Sequence, residues 1–200
     1  MGFFVSHFLS LEQIKKLAVE RKLQQSNYAG EIFATEFLLF AQNNDELING
    51  ANDKQSQANN ANDNYSQANN PQNIGAKSQN NDDIYVVDVR TKAEWQFSGT
   101  AELGGLNAKL LCFEWVTYPD FAANPHFVEQ VTNVIVNKKS AIFFLCKTGI
   151  RSYQAANILA EHGYENCFNI THGFEGAHNN NMQRGKVNGW KAEGLPWKQP

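Results

Sequence analysis

The sequence predicts an α/β protein: a mostly parallel sheet of about five strands with helices on both faces. Three observations carry that expectation. Short apolar runs of strand length recur at 84–89, 110–115 and 141–145 without the alternation of a half-exposed strand. Stretches with apolar residues at helical spacing separate them, at 124–135 and 152–161. A chain of 200 residues with 42% hydrophobic content supports one core and favours one domain with appendages.

Taken in order, the elements begin at Ser10, which stands three residues before Gln13 in capping-box spacing. Leu11, Ile14, Leu17 and Ala18 then mark one face of a helix reaching about Gln24, so residues 1–27 read as an N-terminal helical extension. The domain proper spans 28–200. It opens with a short strand at 28–32 and a helix at 34–42, where Phe37, Leu38 and Phe40 are available for burial. Two similar Asn-rich decamers, 51–60 and 61–70, lie within 43–83, a low-complexity insertion without an apolar face, expected to be disordered. Beyond it come the strand at 84–89, a helical turn around Ala93, Glu94 and Trp95, and the strand at 110–115. Asn124 and Pro125 read as N-cap and first residue of a helix burying Phe127, Val128, Val131, Val134 and Ile135. The pattern ends with strand 141–145, helix 152–161 and a strand at 167–170.

Composition removes several classes of function. A formal net charge of −3 with seventeen scattered basic residues leaves no electrostatic footprint for nucleic acid. Cys112, Cys146 and Cys167 are too few for a disulfide framework and show no metal-ligand spacing, so neither metal nor cofactor is expected and a reducing, cytoplasmic setting fits best. The apolar start at residues 1–9 lacks a basic n-region and a small-residue cleavage site, and eighteen apolar residues never run together, so no membrane span is expected.

Chemistry concentrates in Cys146, Lys147, Thr148, Gly149, Ile150, Arg151 and Ser152, between the apolar run at 141–145 and the helix that follows. A thiol there lies at a helix N-terminus, where the dipole and free backbone amides favour the thiolate. Amides of residues 147–152 curling around the sulfur would form an anion nest, with Gly149 relieving the backbone. Lys147 offers a cation at the rim, Thr148 and Ser152 offer hydroxyls, and Arg151 offers a rigid fork for a carboxylate or oxyanion. Asp88, at the end of a neighbouring strand, is placed to orient Arg151 or to cap its own strand end. Arg90 and Glu94, four residues apart, are placed to pair. Cys112 and Cys167 read as small apolar residues in strands, and His172 falls on the strand-end side that carries the reactive loop.

The loop 146–152 resembles the active-site loop of rhodanese-like sulfurtransferases. Asp88-Val89-Arg90 with Glu94-Trp95 is similar to that family's Asp-Val-Arg segment, and Gly173-Phe174 followed by Trp190 and Gly194-Leu195-Pro196 is similar to its C-terminal ending. The resemblance runs from about Tyr28 to Trp197. It departs at His172-Gly173, where a glycine pair is usual, and at 175–188, about a dozen additional residues. The stretch from Glu114 to Pro125 is similar to a bacterial single-domain subgroup. The resemblance implies a sulfurtransferase that carries sulfane sulfur from a donor such as thiosulfate to cyanide, a thiol or a sulfur-accepting protein, as a Cys146 persulfide. Four residues separate Cys146 from Arg151, the sulfurtransferase length; the related phosphatases carry one more. The alternatives on the same fold are a phosphatase or arsenate reductase, and a non-enzymatic persulfide carrier or redox-sensing module.

Overall fold

The computed structural model describes residues 9–42 and 83–200. The expectations for residues 1–8 and for the insertion at 43–82 lie outside the described residues. Helix α1 (Leu11–Glu20) begins at Ser10 with the full capping box, the Ser10 hydroxyl accepting from the Gln13 amide and the Gln13 side chain accepting from the Ser10 amide. It ends four residues before the expected limit, at Arg21, whose guanidinium forks onto Glu36 at 2.7 and 2.9 Å. Strand β1 (Gly30–Ile32) and helix α2 (34–42) follow. After 43–82 come β2 (Ile84–Asp88), α3 (Lys92–Ser98), β3 (Thr100–Ala101), β4 (Ala108–Cys112), β5 (Val116–Thr117) and β6 (Ala122–Ala123). The chain closes with α4 (Phe127–Val134), β7 (Ala141–Leu145), α5 (Ile150–Glu161), β8 (Asn166–Ile170) and β9 (Trp197–Lys198).

Five strands form one parallel sheet in the order β1-β8-β7-β2-β4. Its two faces separate by the two-residue period of each strand. Ile84, Val86, Phe143, Leu145, Phe168 and Ile170 face one way, under α1, α2 and the C-terminal segment. Phe143 is the hub there, stacked on Phe168 at 5.0 Å and met edge-on by Phe37 at 5.0 Å. Tyr85, Val87, Ile142, Phe144 and Cys167 face the other way, under α4 and α5. Both faces being covered explains why the strands read as continuous apolar runs. Ile14 and Ala18 of α1 share the first cluster with Ile32 and Phe37, so the N-terminal helix belongs to the core. No helix of the described residues is long and apolar enough to cross a membrane.

Two boundaries differ from expectation for local reasons. The strand expected at 110–115 is β4 at Ala108–Cys112, because pairing with β2 in the register Ile84 to Ala108 and Asp88 to Cys112 sets its limits. The residues beyond it turn into the β5-β6 hairpin. Asn124 and Pro125 precede α4 without entering it: the Asn124 side-chain oxygen accepts from the His126 amide in a turn, and the helix starts at Phe127.

At the C-terminal end of β2, Asp88 and Arg90 form a fully buried ion pair, with Arg90 Nη2 2.6 Å and Nε 3.0 Å from the carboxylate. Arg90 also donates to the Gly99 carbonyl at 2.8 Å and lies 4.0 Å over the Phe174 ring. It therefore joins β2, the end of α3 and the C-terminal segment. Removing one partner strands the other charge in a dry site. Asp88→Ala is expected to cost about 3–5 kcal/mol in urea unfolding, and Asp88→Ala with Arg90→Met less than the sum of the two single changes.

Candidate active site

Cys146 follows β7 directly and lies on the α4-α5 face, 1% exposed. Its Sγ accepts from the Gly149 amide at 3.1 Å and from the Ser152 hydroxyl at 3.2 Å. Both donors come from the turn into α5, which starts at Ile150, two residues earlier than expected. Gly149 caps that helix at φ +99°, a conformation that a side chain resists. Ser152 is fully buried, and its hydroxyl is directed at the sulfur across one turn of helix.

The backbone of the C-terminal segment grips the other side of the loop. The Phe174 amide donates to the Cys146 carbonyl at 2.7 Å, and the Glu175 and Gly176 amides donate to the Lys147 carbonyl at 3.0 and 3.2 Å. A Cβ on Gly173 would lie 2.4 Å from the Cys146 oxygen and 2.7 Å from the Thr148 nitrogen, at φ +64°. Glycine is required there because two backbones touch. The additional residues after it fold back on themselves, with Gly185 N donating to the Glu175 carbonyl and Arg184 donating to the Gly176 carbonyl at 2.5 Å.

The charged partners differ from those expected. Arg151 does not meet Asp88: it forks onto Glu94 at 2.7 and 2.8 Å, and Glu94 also accepts from the Thr91 amide and hydroxyl at 2.9 and 3.1 Å. Arg90 takes Asp88 instead of Glu94. The exchange follows from topology: β2 and α3 are joined by a short turn that carries Arg90 back under the strand end, while α3 presents Glu94 to the start of α5. Burial opposes ionisation of Glu94, but the Arg151 fork and the Thr91 bonds outweigh it and hold the carboxyl below its ordinary range. Burial likewise works against the charge on Arg151, and the Glu94 bonds restore it and raise its pKa. The fork of Arg151 is therefore engaged by Glu94 in this structure.

Lys147 stands at the rim, 3.9 Å from Glu175, with its side chain 39% exposed. A cleft of about 460 Å³ lined by Glu94, Phe97, Tyr118, Phe121, Lys147 and Arg151 opens on one side of the loop. A second of about 440 Å³ is lined by Thr148, Gly149, Ile150, Asn169, Thr171 and His172 among others. Ile150 is exposed, and His172 stacks on Phe33 at 5.6 Å.

Cys112 and Cys167 are placed away from the Cys146 sulfur. Cys112 is exposed at the end of β4, paired across β2 so that Cys112, Asp88 and Leu145 share one face, while Cys146 faces the other. Two strand spacings, about 10 Å, separate the strands that carry these two thiols, beyond the reach of about 7 Å between Cα atoms that a disulfide allows. Cys167 is fully buried in β8, and burial pushes its thiol far above the ordinary range. Sequence reasoning missed Asn169, which donates to the Gly149 carbonyl at 3.0 Å. Its signal was present: an asparagine inside the apolar run 167–170 must find partners.

Comparison with known proteins agrees with this geometry. The family model for the rhodanese-like domain matches residues 71–180. An uncharacterized protein of Rickettsia rickettsii, the RP600 homolog, is 43% identical over 118 residues, which cover 59% of this chain and 85% of that protein. The uncharacterized protein RP600 of Rickettsia prowazekii is 40% identical over 118 residues, with 58% and 85% covered. The crystal structure of Rv0390 from M. tuberculosis superposes with a TM-score of 0.55 at 37% identity, covering 60% of this chain and 87% of that one. The chain belongs to the rhodanese-like domain family.

Proposed function

We propose that this protein is a sulfurtransferase that carries sulfane sulfur on Cys146. The observation that carries the reading is the double donation to Sγ, from the Gly149 amide and the Ser152 hydroxyl, in a loop whose outward carbonyls are already bound. Donors arranged before reaction stabilise a charged sulfur without reorganisation. The Cys146 thiolate attacks the outer sulfur of thiosulfate, the bond to the sulfonate sulfur breaks, and sulfite leaves with the electron pair. The persulfide anion remains in the loop. Cyanide or an acceptor thiolate then attacks the outer sulfur and releases the Cys146 thiolate, giving thiocyanate or an acceptor persulfide.

The loop binds an anion through amides and hydroxyls, since Glu94 occupies Arg151. The two oxygens of Glu94 fill the fork that a phosphate would need, and this favours sulfur over phosphoryl chemistry. Lys147 is the nearby cation with an exposed side chain, and its field draws a dianionic donor toward the rim. The acceptor is a thiol, small or protein-borne. All three cysteines are free, and the reaction belongs in a reducing compartment such as the cytoplasm.

Incubation with thiosulfate should add one sulfur to the intact mass of the wild type and none to Cys146→Ser, with thiocyanate formed from cyanide only by the wild type. Thiocyanate turnover by the serine variant would overturn the assignment. Gly173→Ala should keep most secondary structure by circular dichroism yet lower thiocyanate formation at least about tenfold, because its Cβ displaces the Cys146 and Lys147 peptides. Glu94→Gln should lower stability at pH 7 by about 1–3 kcal/mol in urea unfolding. The wild-type carboxyl titrates below its ordinary 4.5, so its contribution is complete above that value and is lost as the pH falls through the lowered one. The gap between variant and wild type should therefore narrow in acid.

A further inference from the structure

We infer that Glu31, acting through Asn169, positions Gly149, the residue whose N–H binds the Cys146 sulfur. The segment ahead of the family-matched region would then take part in the chemistry. The inference rests on Cys146 being the sulfur-carrying nucleophile.

Gly149 holds two groups that matter: its N–H donates to Sγ at 3.1 Å, and its carbonyl accepts the first helical bond of α5 from Tyr153 at 3.2 Å. Between them lie the two backbone torsions of a glycine, the residue type that tolerates φ +99° and also many alternatives. No side chain caps α5 at this residue. The N–H belongs to the Thr148–Gly149 peptide and the carbonyl to the Gly149–Ile150 peptide, so fixing the carbonyl restrains the N–H through the two Gly149 torsions, in a loop whose Cys146 and Lys147 carbonyls are already bound. Asn169 supplies the hold: it is 3% exposed, and its Nδ2 places one hydrogen on the Gly149 carbonyl at 3.0 Å and the other on Glu31 Oε2 at 2.8 Å.

Glu31 is in turn fastened. It is the direct Cα partner of Asn169 in the parallel pairing of β1 with β8, so the two side chains share a face. Its Oε1 accepts from the Tyr28 hydroxyl at 2.6 Å, and its Oε2 also accepts from the Thr171 hydroxyl. Burial, reinforced by the Glu31 bond, pushes the Tyr28 phenol far above its ordinary range, so Tyr28 stays a donor. The carboxylate thus fixes the Asn169 amide with its NH₂ toward Gly149. Tyr28 and Glu31 lie ahead of residues 71–180, and Asn169 lies within them.

A stitch that only pins β1 to the sheet would lower stability and leave the reactivity of Cys146 in the folded protein unchanged. The full-length wild type, Asn169→Leu, Glu31→Gln and the double variant are compared by the pH dependence of Cys146 alkylation with iodoacetamide, read on the Cys146 peptide by mass spectrometry. Folding of each is checked by near-UV circular dichroism. Asn169→Leu is expected to lower the rate at pH 7 about three- to tenfold and to displace the profile to higher pH. Glu31→Gln should move it the same way by less, and the double variant should match Asn169→Leu, since both act through one chain of bonds. Folded single variants with the wild-type profile overturn the inference, whatever their melting temperatures; if Asn169→Leu does not fold, an unchanged profile in Glu31→Gln overturns it alone. Alkylation needs no sulfur donor, so failure of the sulfurtransferase reading would appear separately, as a wild type that takes up no sulfur from thiosulfate.

Discussion

The hydrogen bond from the Phe174 amide to the Cys146 carbonyl, with its neighbours onto the Lys147 carbonyl, is the constraint on which the site depends. A tight loop has as many carbonyls as amides, and a nest for an anion requires the carbonyls to find partners elsewhere. Here the Cys146 and Lys147 carbonyls find them on the C-terminal segment, at a separation that requires glycine at 173, and the Gly149 carbonyl finds them on Tyr153 and Asn169. The sulfur side is then left to donors: the Gly149 amide and the Ser152 hydroxyl.

That arrangement gives the buried Arg90 and the half-buried Arg151 structural work. Arg90 is a structural bolt, enclosed with Asp88 and stacked on Phe174, the residue whose amide grips the loop. Arg151 joins the N-terminus of α5 to that of α3 through Glu94, so the helix that carries Ser152 is held against the capping box that begins at Thr91. Charge that seemed available for substrate is used to hold the frame. On the proposed reading, an anion beside the sulfur meets uncharged donors, with Lys147 outside at the rim, and such donors leave no buried, unpaired ion when the site is empty.

The edge of the sheet contributes as well. Among the described residues strand β1 pairs only with β8, a position where a short strand is ordinarily a boundary, yet Glu31 from that edge reaches the turn after β7 through one intervening side chain. At the other terminus Trp190 is buried against Phe37, donates to the Pro196 carbonyl at 2.8 Å, and closes the segment whose start binds the loop. Both ends of the described chain are thereby coupled to the turn after β7.

Most of the scaffold was legible because burial on two faces writes itself into composition: 84–89 and 141–145 could be little else than central parallel strands, and Ser10 with Gln13 could be recognised as a cap from spacing alone. The candidate site was equally legible, since Cys146, Gly149 and Ser152 lie within seven consecutive residues. What the linear order could not decide was partnership between distant residues. Asp88, Arg90, Glu94 and Arg151 offer two chemically equal pairings, and only the path of the chain from β2 into α3 and the approach of α5 chose between them. Asn169 and Glu31 are 138 positions apart and meet because two strands pair in a particular register. By itself, then, the sequence determined where the central buried strands run and that Cys146, Gly149 and Ser152 share one loop, properties of local composition and adjacency; the tertiary structure alone decided which charges neutralise one another and what holds that loop, because those depend on distances between elements that adjacency in sequence does not encode.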